Sequence, residues 1–289
     1  MVQHTNITKE LSMPFSSDAF VPDEIIQIGA GGVGSRLAFD ISFFMRGNFD
    51  ALKNTTYTIV DHDRVSTSNL ARQMFFYHEI SDQTKGQILV NRFRDMIRIQ
   101  QIPEPINQET LPLVFNEERL RKKLLVIMAA DNGLVVKQVI TKLLADAKND
   151  WLWVFTGANL VEEEIAGKTV QTGQGQAYAY GVMNNTPLFP TPPTEVLLDI
   201  METTGFGPTS TGQNCGVDVQ SGAQTPLMNN ACAYLTMVLI QSFFEKGLFG
   251  SAAYFTNGVS VDFGDFRPIS EIVAPINLEQ QEEEQEQNG

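Results

Sequence analysis

Cysteine is nearly absent from this chain. Its 289 residues contain only Cys215 and Cys232, with no C-x-x-C pair. That excludes a four-cysteine zinc knuckle and fits a reducing, cytoplasmic compartment. Long apolar runs are missing too: no stretch approaches the roughly 18 to 20 apolar residues of a membrane span. The polar opening MVQHTNITKELSMPF lacks the apolar core of a secretory leader. Positive charge is scarce, with 20 Lys and Arg against 34 Asp and Glu and a net charge of −14. Nucleic acid and anionic membranes call for a basic face, so neither is an expected partner. Five of the acids (Glu279, Glu282, Glu283, Glu284 and Glu286) crowd the last eleven residues, leaving a body of about −9.

What is present is enough for a large core: 43% of the residues are hydrophobic, and one to two domains is the reasonable expectation. Residues 1–23 read as an arm punctuated by Pro14 and Pro22. Ile25–Ile28 is a short apolar strand running into the glycine run GAGGVG at Gly29–Gly34. Leu37, Ile41, Phe44 and Met45 recur at helical spacing and predict a helix over Ser35–Arg46, with an exit loop at Gly47–Thr56 and a strand at Tyr57–Val60. A helix is expected over Thr84–Ile99, with Ile88, Phe93, Met96 and Ile97 inward and Pro103 and Pro105 ending it. Then come a strand at Ile106–Thr110, a charged helix at Glu117–Lys123, a continuous apolar strand at Leu124–Ala129, a helix at Gly133–Ala147 and a strand at Trp151–Phe155. This alternation predicts an α/β, Rossmann-like, doubly wound, mostly parallel sheet over residues 24–160.

From about residue 160 the texture changes. Thr169–Gly181, with Tyr178 and Tyr180 alternating, predicts an exposed or antiparallel strand. The proline-rich Pro187–Pro193 fits neither an interior helix nor a central strand. Thr194–Glu202 is expected to be a short helix, and Thr203–Val219 a Gly-rich crossover loop. Thr225–Lys246 predicts a buried helix, and Asn257-Gly258 between β-rich arms a hairpin. Residues 161–275 therefore read as the C-terminal, partly antiparallel part of the same fold, and 276–289 as a disordered Glu/Gln tail.

The chemistry concentrates at three junctions. Gly29, Gly31 and Gly34 satisfy G-x-G-x-x-G between a strand and a helix, with Gly32 as an extra glycine. Such a turn brings backbone N–H groups to a phosphate at a helix N-terminus, though it does not tell ATP from NAD. Asp61 ends the second strand, 27 residues after Gly34, and suits a bidentate hydrogen bond to ribose hydroxyls. A turn or helix cap is the bland alternative. The loop that follows, DHDRVSTSNLARQ at Asp61–Gln73, is polar and carries Arg72. A third strand ends in Asp131-Asn132, which also suits capping of the next helix.

The ordered pattern of GxGGxG, D-x-D-x-V-x-x-S-N-L-x-R-Q, a lysine and a strand ending in D-N resembles the ThiF/MoeB/ubiquitin-activating-enzyme superfamily, particularly its PRTRC-type ThiF group. The resemblance covers residues 20–160 and, more loosely, 205–265. It implies an ATP-dependent adenylyltransferase, a transferase that activates the C-terminal carboxylate of a ubiquitin-like or sulfur-carrier protein or of a peptide. It further implies a homodimer. By that resemblance Asp61 holds the ribose, Asn69, Arg72 and Lys85 contact the phosphates, and Asp131 binds magnesium, with Asn132 beside it. Gln73 and Asp63 match the motif and are expected at the site or just behind it.

The chain also departs from its relatives. They often carry an arginine upstream of the glycine loop, whereas residues 1–35 contain none, and the structural zinc cysteines are absent. Cys215 sits in a Gly/Ser/Thr-rich stretch where a thiol could accept the acyl group as a thioester, although no neighbouring His or Lys is visible to activate it. Cys232 reads as core, and His62 and His78 as non-catalytic. Two other classes remain open at this point. An NAD-binding oxidoreductase leaves Asn69 and Arg72 unexplained; a non-catalytic adaptor leaves Arg72, Lys85 and Asp131 without a purpose.

Overall fold

Apolar strands without polar alternation must be covered on both faces, and such strands form the centre of this protein. The computed structural model describes residues 20–130, 132–165, 168–188, 226–250, 252–256, 260–263 and 266–268. Strand β1 (Glu24–Ile28) leads into helix α1 (Gly32–Gly47), a single-turn helix α2 (Phe49–Leu52) and strand β2 (Thr56–Val60). Helix α3 (Lys85–Phe93), strand β3 (Ile99–Ile102), the short helices α4 (Leu111–Val114) and α5 (Glu117–Leu120), strand β4 (Leu124–Met128) and helix α6 (Gly133–Asp146) follow. Next come the long strands β5 (Trp151–Ile165) and β6 (Lys168–Met183) and the two-residue strand β7 (Thr186–Pro187). Helix α7 (Pro226–Lys246) and strands β8 (Leu248–Gly250), β9 (Ala252–Thr256), β10 (Ser260–Phe263) and β11 (Phe266–Pro268) complete the described chain.

One sheet carries the order β10-β9-β6-β5-β4-β1-β2-β3, with β7 paired to β6. From β3 to β5 every pairing is parallel; beyond β5 every pairing is antiparallel. The chain builds outward from β1 to β3 and then crosses to β4 on the other side of β1. That reversal opens a crevice at the carboxyl ends of β1 and β4, where open α/β sheets take their ligands. Strands β8 and β11 pair separately.

Packing explains the layers. All five residues of β1 and of β4 are buried. On one face α1 and α7 share a core in which Phe20, Phe44, Phe243 and Phe244 meet ring to ring. On the other face Val136, Val139, Ile140 and Leu143 of α6 cover Trp153, Phe155 and their neighbours. By length and mean hydropathy (1.2), Pro226–Glu245 also meets the description of a membrane span. It is instead 61% buried within the protein, packed on α1, β5 and β6. Cys232, on that helix, is fully buried, and burial pushes its thiol up to about 12, so it is core and not a nucleophile.

Several expectations are corrected. The helix expected over Thr84–Ile99 stops at Phe93, and Ile99–Ile102 is the edge strand β3. Met96 and Ile97 keep the helical spacing but pack only partly against the core. Ile106–Thr110 is not a strand: the Asn107 side chain accepts from the N–H groups of Glu109 and Thr110, folding the segment into a turn before α4. β5 runs ten residues past the expected end at Phe155, because β6 pairs along its whole length. β6 is the antiparallel strand expected over Thr169–Gly181, with Tyr180 buried. The two hairpin arms pair antiparallel as β9 and β10; their turn lies outside the described residues, as do residues 1–19, the segment 189–225 and the tail.

If α7 is a core helix, Phe244→Ala removes a ring from the aromatic cluster and lowers stability by about 3–5 kcal/mol in chemical denaturation. A loss below about 1 kcal/mol would contradict this packing.

Candidate nucleotide-binding site

The glycine turn is shaped by close approach. Gly29 has φ +95°, and a Cβ there would lie 2.7 Å from the Ala129 carbonyl oxygen, so only glycine fits between β1 and β4. A Cβ on Gly34 would lie 2.1 Å from the Gly29 carbonyl oxygen, which makes Gly34 a packing glycine of α1. Gly31 precedes α1 with open space where a side chain would stand, and no side chain caps the helix. The first N–H groups of α1 are therefore available to an anion. Beneath the turn, Gln27 is fully buried: its amide donates to the carbonyls of Gly29 and Gly34 (both 2.9 Å), and its Oε1 accepts from the Tyr57 hydroxyl (2.5 Å).

Asp61 stands at the end of β2, only 8% exposed. The Ala30 N–H donates to its Oδ2 (2.6 Å) and the Asp63 N–H to its Oδ1 (2.9 Å), which leaves further lone pairs for a ligand. Burial raises its pKa above the ordinary carboxylate value, against the opposing pull of the Lys85 ammonium and the Ala30 N–H. Lys85 opens α3 behind the cap Thr84, and its ammonium reaches Asp63 Oδ2 (3.1 Å) while its side chain is only 6% exposed.

A cavity of about 340 Å³ lies at this crevice, large enough for a small ligand. Gly29, Gly31, Gly32, Asp61, Asp63, Arg72, Gln73, Lys85 and Asn132 all line it. Nine expected site residues, far apart in sequence, thus share one wall. Gly34 and Asn69 are not among the lining residues. Asn69 instead shapes the turn before Arg72: its Oδ1 accepts from the Ser66 N–H, and its carbonyl accepts from the N–H groups of Arg72 and Gln73. Asn132 caps α6, accepting from Leu134 and Val135, while also facing the cavity. Asp131 and Cys215 lie outside the described residues.

Other residues complete the site without having been singled out in the sequence. Glu104–Ile106, Thr156 and Gly157 add to the lining. Arg92 holds the loop after Arg72: it donates to the Met74 carbonyl (2.6 Å), forms a two-point pair with Glu79, and lies over the rings of Phe39, Phe75 and Phe76. The Ser35 hydroxyl accepts from the Met74 N–H (3.0 Å), and Asn229 of α7 donates to the Arg72 carbonyl (2.9 Å). A polar residue in an otherwise apolar run, Gln27 in EIIQI or Asn229 in LMNNACAYL, was the available signal for two of these.

Because its native pKa is raised, Asp61 favours the folded state below the ordinary carboxylate pKa, and that contribution is lost as pH rises through the native value. Asp61→Asn removes the titration, so the difference in Tm between variant and wild type should move in favour of the variant as pH rises above about 4. A difference that stays constant with pH would contradict a strained, ionisable Asp61.

The model for the ThiF family matches residues 23–260. Among solved structures, Escherichia coli MccB with ATP superposes with a TM-score of 0.51 at 13% identity, covering 84% of this chain and 63% of that one. MccB with selenomethionine MccA gives 0.52 at 13% identity, with the same coverage. Escherichia coli TcdA in complex with ATP aligns over 44% of this chain and 48% of its own, with a TM-score of 0.36 and 19% identity. A search of curated protein sequences returns no match. The chain thus spans just under two thirds of the length of MccB, with which it shares the fold. With most of the chain, including the glycine turn, Asp61 and α7, inside the matched region, the protein belongs to the ThiF family.

Proposed function

We propose that this protein is an ATP-dependent adenylyltransferase that activates the C-terminal carboxylate of a peptide or of a small ubiquitin-like or sulfur-carrier protein. The observation that carries the reading is the shared cavity wall: a ribose-type acid, Asp61, together with two buried cations, Arg72 and Lys85, beside the open N-terminus of α1. A dinucleotide's pyrophosphate is satisfied by a helix N-terminus alone. Two further cations suit a triphosphate whose leaving group gains charge.

The reaction follows from that placement. A carboxylate oxygen of the acceptor attacks the α-phosphorus, the bond from that phosphorus to the bridging oxygen of the β-phosphate breaks, and pyrophosphate leaves. The products are an acyl adenylate and pyrophosphate, with no net proton transfer. Asp61 orients the ribose, and the α1 N–H groups hold phosphate oxygens. Arg72 and Lys85 neutralise the charge that develops on pyrophosphate. Asn69 supports this indirectly by shaping the turn that presents Arg72. Lys85 leaves Asp63 as the nucleotide arrives, or shares its charge between them.

Magnesium, were it bound, would neutralise negative charge on the triphosphate. Among the described residues no three acids, histidines or cysteines cluster, but magnesium is typically held by one or two carboxylates plus substrate phosphates, and we assign Asp131 that place. A peptide acceptor is supported by the fold shared with MccB, which has been solved with MccA. In a later step of the same proposal the Cys215 thiolate, its proton lost to solvent, attacks the acyl carbon, the acyl–phosphate bond breaks, and AMP leaves as the thioester forms. A homodimer is part of it too: Phe43 and Tyr234, each more than half exposed, flank a groove between α1 and α7.

Mg-ATP at about 100 times its Kd should stabilise the wild type by roughly 2.7 kcal/mol, and Asp61→Ala should remove more than half of the shift. Stabilisation by NAD alone would favour an oxidoreductase; no response to either would favour an adaptor. With an acceptor in hand, Arg72→Ala and Lys85→Ala should each slow ATP–pyrophosphate exchange by about 10²–10³-fold. Unchanged exchange in both would overturn the assigned roles.

A further inference from the structure

Asn229 is 2% exposed on α7, in a helix whose other buried side chains are almost all apolar. An unpartnered amide there would be costly. It has a partner: Nδ2 donates to the Arg72 backbone carbonyl at 2.9 Å, across 157 positions of sequence. The same carboxamide lies against Gly32. A Cβ built on Gly32 would stand 2.2 Å from Nδ2, 2.7 Å from Cγ and 2.8 Å from Oδ1. A side chain at position 32 would therefore force the Asn229 carboxamide out of this arrangement. Gly31, by contrast, has nothing within 4 Å of the corresponding point. The two adjacent glycines serve different ends, Gly31 leaving the cavity open and Gly32 admitting a side chain from α7.

We propose that Asn229 is a positioning residue, which sets the Arg72 backbone at a fixed distance from the glycine turn so that the cation and the α1 N–H groups converge on one phosphate chain. The proposal rests on the adenylation reading and deepens it. Arg72 and Gln73 are also held from the turn that precedes them and from Met74, through Ser35 and Arg92. Without Asn229 the one direct link from α7 to the Arg72 backbone among the described residues is lost, while Asp61, Lys85 and the glycine turn stay as they are. The effect should therefore fall on the charge-stabilised step more than on nucleotide capture. A displacement of about 1 Å in a catalytic group is enough to cost about 10²-fold in rate.

The test is a double-mutant cycle of Gly32→Ala and Asn229→Ala in the full chain, with Asn230→Ala, one residue on and exposed, as control. In the absence of nucleotide, Gly32→Ala should lower Tm markedly in the wild-type background and much less in the Asn229→Ala background, because the methyl group then has space. Equal losses in both backgrounds would overturn the interlock. In ATP–pyrophosphate exchange, Asn229→Ala should lower kcat at least tenfold while KM for ATP changes by less than threefold, and Asn229→Gln should recover part of the loss. A tenfold rise in KM with kcat intact, or no change in either, would overturn the positioning role. A wild type that neither binds Mg-ATP nor exchanges would overturn the adenylation reading and the positioning role with it. The apo cycle still reports on the interlock in that case, so the two failures are distinguishable.

Discussion

The bond from the Ala30 N–H to the Asp61 carboxylate is the constraint on which the rest of the site depends. It ties the glycine turn after β1 to the end of β2 at 2.6 Å, and the second oxygen fixes the start of the following loop through the Asp63 N–H. Lys85 then closes the circuit: its backbone N–H donates to the Asp63 carbonyl and its ammonium pairs with the Asp63 side chain. One buried acid thus positions the phosphate turn, the loop and the first residue of α3. Keeping it ionised under cover is unfavourable, in line with its raised pKa, and under the proposed function a ribose donating to its remaining lone pairs would offset part of that cost.

A second constraint acts on the loop itself. Residues 72–74 are fastened to three helices through backbone atoms: Arg72 O to α7, Met74 N to α1 and Met74 O to α3. Backbone anchoring positions Arg72 at the cavity it lines. Charges held in place before the reaction need no reorganisation when the leaving group develops its own, which is how such sites lower a barrier. The aromatic rings around the Arg92 guanidinium, together with Glu79, keep that anchor rigid.

The parallel half of the sheet was legible because its strands are continuous apolar runs and its helices repeat every three to four residues. The site was legible because its residues fall in an ordered pattern at strand ends, where an α/β sheet presents them to a common crevice. Edges were harder. Ile99–Ile102 is exposed on one side and follows residues that still keep helical spacing, so periodicity alone ran the helix through it. β5 and β6 extend each other beyond the parallel core, a long-range pairing that no local pattern encodes. Gly32 lines the cavity, and its packing against Asn229 left no local signal because that neighbour lies almost two hundred residues away. Asn69, expected at the phosphates, is not among the lining residues, and its hydrogen bonds build the turn that carries Arg72.

The account stands or falls on Asp61 meeting a ribose. The direct measurement is the affinity of wild type and Asp61→Ala for Mg-ATP and for 2′,3′-dideoxy-ATP, in a four-way cycle. Hydrogen bonds to a charged group contribute about 1.5–3 kcal/mol, so the wild type should prefer ATP by about tenfold or more and Asp61→Ala should bind both equally. A preference of the same size in both proteins would show that the ribose hydroxyls are held elsewhere and would contradict the site as assigned.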